Sequence, residues 1–69
     1  MLLDILENIK DENSWFGYLS DFEEDCDLNG IEVVEINSEY AIVALDDEEA
    51  IVRFGGTQRT ITINSIEAA

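Results

Sequence analysis

The sequence predicts an α+β domain, two N-terminal helices packed on a four-stranded antiparallel β meander, with residues 1–69 forming one small acidic unit. Three observations predict it. Apolar residues recur at helical spacing as far as Cys26, and four short runs rich in β-branched residues follow from Ile31. The segments between those runs are too short for crossover connections, so hairpins must join them.

Leu2, Leu3, Ile5, Leu6 and Ile9 fall on one side of a helix from residue 2 to about 11, with Asp4, Glu7, Asn8 and Lys10 on the other. Acids near its start and Lys10 near its end suit the helix dipole. After the polar break Asp11-Glu12-Asn13-Ser14, Trp15, Leu19, Phe22 and Cys26 form a second stripe. Its start is open. Ser14 is one candidate cap. The other is Ser20, whose Ser20-Asp21-Phe22-Glu23 is a capping-box pattern that would leave Trp15 to Leu19 irregular or extended. Asn29-Gly30 ends the helix in either case.

The strand runs are Ile31–Ile36, Tyr40–Leu45, Ala50–Phe54 and Arg59–Ile63. Between them lie Asn37-Ser38-Glu39, the acidic turn Asp46-Asp47-Glu48-Glu49, and Gly55-Gly56-Thr57-Gln58. The second and third runs are apolar at nearly every position and are expected to be covered on both faces, the second by curling of the sheet or by another subunit. Thr60 and Thr62 alternate with Ile61 and Ile63, as on a half-exposed strand.

The formal net charge is −14, from 17 acidic and 3 basic side chains, while 46% of residues are hydrophobic, enough apolar surface for a folded chain. Through Glu49 sixteen acids face Lys10 alone; from Ala50 on, Glu67 faces Arg53 and Arg59. Such a body repels phosphate backbones and anionic lipid, so neither direct nucleic-acid binding nor membrane binding is expected. Below ~70–80 residues a single core supplies about 3–5 kcal/mol, so self-association is an expected source of further support.

Chemistry is narrowed in the same way. With no histidine, Ser-His-Asp and Cys-His machinery cannot be built in this chain. Cys26 is the single cysteine, which fits a reducing compartment; the acid at Asp4 and the absence of a basic leader argue against a secretion signal, so a cytoplasmic protein is expected. Asp25-Cys26-Asp27-Leu28-Asn29-Gly30 has the spacing of the first half of an EF-hand loop, but Ile36 stands where the closing bidentate Glu belongs. A calcium-responsive module is therefore the third reading. Neither a cofactor nor a catalytic constellation is expected. Acids around Cys26 should raise its thiol pKa and keep it inert.

Two features rise above a bland background. One is the aromatic cluster Trp15, Phe16, Tyr18 and Phe22. Trp15 and Phe22 fit the buried stripe, leaving Phe16 or Tyr18 for contact outside the monomer. The other is the acid array. The expected partner-binding residues are Asp21, Glu23, Glu24, Asp25 and Asp27, with Asp46, Asp47, Glu48 and Glu49 as a second patch and Trp15, Phe16 and Tyr18 as the apolar anchor. The first reading is a non-enzymatic acidic module that binds a basic protein, most concretely a nucleic-acid mimic inhibiting a DNA- or RNA-handling enzyme or regulator. The alternative is a small homo-oligomeric structural or interaction protein whose partner is chiefly itself.

Overall fold

In the computed structural model, which describes residues 1–57 and 59–69, the helical period of the N-terminal half forms α1 (Leu2–Glu12) and α2 (Leu19–Leu28). The β-branched runs form β1 (Glu32–Ile36), β2 (Tyr40–Leu45), β3 (Glu48–Gly56) and β4 (Ile61–Ala68). The strands pair antiparallel in the order β1-β2-β3-β4, the meander that the short connections require.

α1 buries Leu2, Leu6 and Ile9 and carries Asp4 in its first turn and Lys10 in its last. α2 begins at neither serine. Tyr18 is its N-cap, and the Asp21 carboxylate accepts a bond from the Tyr18 backbone N–H at 3.2 Å, so the returning half of a capping box sits two residues earlier than the Ser20 pattern. The preceding segment is extended. Phe16 makes a two-bond bridge with Ile61 (2.7 and 2.8 Å), which turns its ring inward and Trp15 outward. The expectation that Trp15 is buried and that Phe16 or Tyr18 is left for outside contact is therefore reversed for Trp15 and Phe16, while Tyr18 is exposed: an extended segment alternates with period two, where a helix would have kept Trp15 on the stripe of Phe22.

α2 ends in a Schellman motif. The Ile31 N–H donates to the Cys26 carbonyl (2.8 Å) and the Gly30 N–H to that of Asp27 (3.1 Å), with Gly30 at φ +73°, a left-handed conformation that glycine adopts at no steric cost. Glycine is also required at Gly56 (φ +97°), because a Cβ there would collide with the Thr60 carbonyl oxygen. Gln58, which follows in the same connection, lies outside the described residues.

The core is one cluster. Leu2, Leu6, Ile9, Phe22 and Cys26 from the helices meet Ala41, Val43, Ala50, Val52, Phe54 and Ile63 on one face of the sheet. Phe22, fully buried, stands edge-on to Phe16 (centroids 5.9 Å apart, 89°) and to Phe54 (5.1 Å, 81°). Of the two ways of covering the opposite face of β2 and β3, curling of the sheet is not the one the chain uses. Both helices lie against the same side, and Tyr40, Ile42, Ala44 and Ile51 remain half-buried among their cross-strand neighbours. The acidic turn is also shorter than expected: Asp46 and Asp47 alone form it, Asp46 at φ +55°, while Glu48 and Glu49 pair with Leu45 and Ala44 as strand residues.

Phe22→Ala removes a side chain whose loss costs about 3–5 kcal/mol in a core, as much as a domain of this size has in total. The variant is expected to show no cooperative thermal transition above room temperature by circular dichroism. A transition within a few degrees of the parent's would mean that the three-ring contact is dispensable.

Candidate functional site

α2 presents its acids by simple helical geometry. Phe22 and Cys26 point into the core, so the remaining directions belong to carboxylates in two rows and a crest. Asp21 and Asp25 lie on one flank, Glu23 and Asp27 on the other, and Glu24 between them borders the grooves on both sides.

The first groove, about 500 Å³, runs along the Asp21–Asp25 flank between α2 and the segment leading into it. Trp15, Tyr18 and Leu28 line it, and they are 56%, 74% and 76% exposed. Its carboxylates are held in place. Asp25 accepts a bond from Asn13 Nδ2 (3.1 Å), which ties the end of α1 to α2, and Asp21 is fixed by the Tyr18 N–H. The second groove lies between Glu23, Asp27 and Ser20 on α2 and Ile31, Glu32 and Val33 at the start of β1.

The structure thus brings Trp15 and Tyr18 together with Asp21, Glu24 and Asp25, and sets Glu23 and Asp27 just over the crest. Phe16 borders the first groove but offers it almost no surface. At 4% exposed it is a core residue, so the aromatic anchor is Trp15 with Tyr18. Leu28 was missed in the sequence; its signal was its position four residues after Glu24 and seven after Asp21, on the groove side of the helix.

Asp46, Asp47, Glu48 and Glu49 are a separate matter. Asp47, Glu48 and Glu49 border a smaller depression with Leu2, Leu3, Ala68 and Ala69, at the start of α1. Glu48 has a structural task there: its carboxylate accepts the Leu2 N–H at 2.9 Å and lies 3.4 Å from the N-terminal amine, capping α1 from a distant strand. The backbone bond from Leu2, aided by the amine, holds its pKa below the usual carboxylate range.

The aspartates of the EF-hand-like stretch do not converge. Asp25 and Asp27 sit in the last turns of α2 and border different grooves, and Asn29 Nδ2 is engaged with the Asp25 carbonyl at 2.7 Å. Among the described residues no group of three acidic or cysteine side chains is placed to share a metal ion. The Cys26 thiol is pushed up to about 12, first by burial and then by Asp25 and Glu23, so burial, not the neighbouring charge alone, keeps it protonated. No helix among the described residues is long and apolar enough to cross a membrane. Comparison of the chain with known protein families, curated proteins and solved structures finds no match.

Because the folded pKa of Glu48 is depressed, its contribution is present above the ordinary Glu value and lost as the pH falls through the folded one. Glu48→Gln is expected to lower the Tm near neutral pH, with the gap to the parent closing as the pH drops through about 4.3 and below. A gap unchanged in acid, or absent at neutral pH, would assign the anchoring of α1 to other contacts.

Proposed function

We propose that the protein acts by contact and not by catalysis: it is an acidic module that docks on a strongly basic surface of another protein, most concretely in a site that otherwise holds nucleic acid. The observation that carries this reading is α2. From Asp21 to Asp27 it sets five carboxylates on about 9 Å of axis, at ~1.5 Å per residue. That is roughly one charge per 2 Å, close to the ~1.7 Å of duplex DNA.

The helix carries these charges against its own stability. Asp21 with Asp25 and Glu23 with Asp27 are like-charged pairs four residues apart, which destabilise a helix. Its last turn holds no base to meet the negative end of the dipole. Among the described residues the only ion pair is that of the N-terminal amine with Glu48, so no internal cation relieves α2. Charge for solubility alone has no need of such positions, whereas a basic partner surface supplies the missing counter-charge and steers association.

The half-buried Ile42 and Ile51 on the uncovered sheet face favour a second reading, self-association, which requires a dimeric mass in light scattering at high concentration.

The test uses Glu23→Lys/Glu24→Lys/Asp27→Lys, changes that relieve the repulsion within α2 and so preserve its fold. The parent, immobilised, is expected to retain a basic nucleic-acid-binding protein to a few hundred millimolar salt and to displace a labelled oligonucleotide from it. The triple variant is expected to do neither. Undiminished displacement by that variant, with its circular dichroism unchanged, would overturn the proposal.

A further inference from the structure

Resting on that reading, we infer that the groove between α2 and Trp15–Tyr18 receives an arginine side chain from the basic partner, and that a lysine there does not substitute for it. The described structure exposes six large hydrophobic side chains, and three of them, Trp15, Tyr18 and Leu28, line this one groove beside Asp21, Glu24 and Asp25. Carboxylates alone attract any cation. Two exposed aromatic rings beside them select among cations, because a guanidinium is planar and weakly hydrated; it stacks on an indole or phenol face while its edge directs N–H groups to carboxylates. An ammonium is compact and strongly hydrated, and loses more of its water shell against the same rings.

The carboxylates are arranged for this. Asp21 and Asp25 already accept one bond each, from the Tyr18 N–H and from Asn13, which fixes their direction and leaves acceptor capacity on each. Glu24 accepts none among the described residues and is free to close over the bound group. Leu28 at the far end suits an apolar residue next to the arginine. Charge complementarity names the occupant: the groove repels anions, and a second copy of a chain carrying −14 approaches it against strong repulsion. The occupant is therefore an arginine-bearing segment of a different, basic protein.

Trp15 is the only tryptophan, so its emission reports on this groove alone. Two flexible Gly/Ser peptides of equal length and charge, one with arginines and one with lysines, are titrated against the parent at physiological salt. The arginine peptide is expected to change the Trp15 emission and to bind about tenfold more tightly. In Trp15→Leu, followed by calorimetry, the preference should shrink to about twofold while the lysine-peptide affinity holds. Tyr18→Leu serves as the second variant, since both side chains are exposed and neither supports the core.

Equal affinities for the two peptides in the parent would overturn this inference and leave the acidic-module reading standing. Binding of neither would overturn both. Self-association abolished by Arg59→Lys would show that the arginine comes from a second copy, which overturns the assignment to a different protein.

Discussion

The meeting of Phe22 with Phe16 and Phe54 is the contact on which the rest of this small structure depends. It joins three pieces of chain: α2, the extended segment before it, and, from farther along the sequence, β3. Full burial of a Phe side chain stabilises by about 1.5–3 kcal/mol, and each edge-to-face pair adds about 0.5–1.5. In a chain of 69 residues without disulfides, that is a large share of what holds it folded. The same contact orients the candidate site. Phe22 inward turns the carboxylate side of α2 outward, and Phe16 inward, pinned by Ile61, leaves Trp15 and Tyr18 standing beside those carboxylates.

The electrostatics divide along the same line. Among the described residues no polar or charged side chain is buried, so the excess charge is borne at the surface. α1 is assembled in the favourable sense, with an acid early, a base late, and Glu48 brought from β3 to meet the Leu2 N–H. α2 begins in the same favourable sense, with Asp21 in its first turn, but ends against its dipole, with carboxylates in its last turn and no base. A helix that ends against its own dipole is tolerated only because Phe22, Cys26 and the Ile31 of its Schellman close are buried beneath it. Packing, then, is what permits the charge array to exist.

How much of this was legible in the sequence follows from the same physics. Periods of 3.6 and 2 are strong signals, so α1 and the order of the hairpins could be read directly. Signals that break a period were not. Ser20-x-x-Glu23 competed with the Tyr18–Asp21 cap actually used, and only the bridge to Ile61, a contact distant in sequence, makes Phe16 rather than Trp15 the inward residue. The end of β4 was hidden by the bulge at Asn64, which shifts the inward positions from Ile61 and Ile63 to Ile66. A two-residue Asp46-Asp47 turn lacks the usual Asn-Gly or Asp-Gly signature, so Glu48 and Glu49 read as loop. The carboxylate array of the site was legible because it needs only helical spacing. The groove was not, because it depends on where an irregular segment lies.

The remaining surfaces point away from the sheet as the principal docking element. Both edge strands are bulged, β1 at Val34 and β4 at Asn64, and a bulge twists an edge out of line for pairing with another strand. Phe16 already occupies the outer side of β4 at Ile61. The uncovered sheet face offers Ile42 and Ile51, but both are half-buried by their neighbours and flanked along their row by Glu35 and Glu67, which narrows the apolar strip to two residues. Around the Trp15–Tyr18 groove the balance is reversed: the apolar groups are well exposed and the adjoining charge is of one sign. A surface that combines reach, apolar area and unpaired charge has more to gain from a complementary partner than one whose apolar groups are already half satisfied, and in this fold that surface is the outer side of α2.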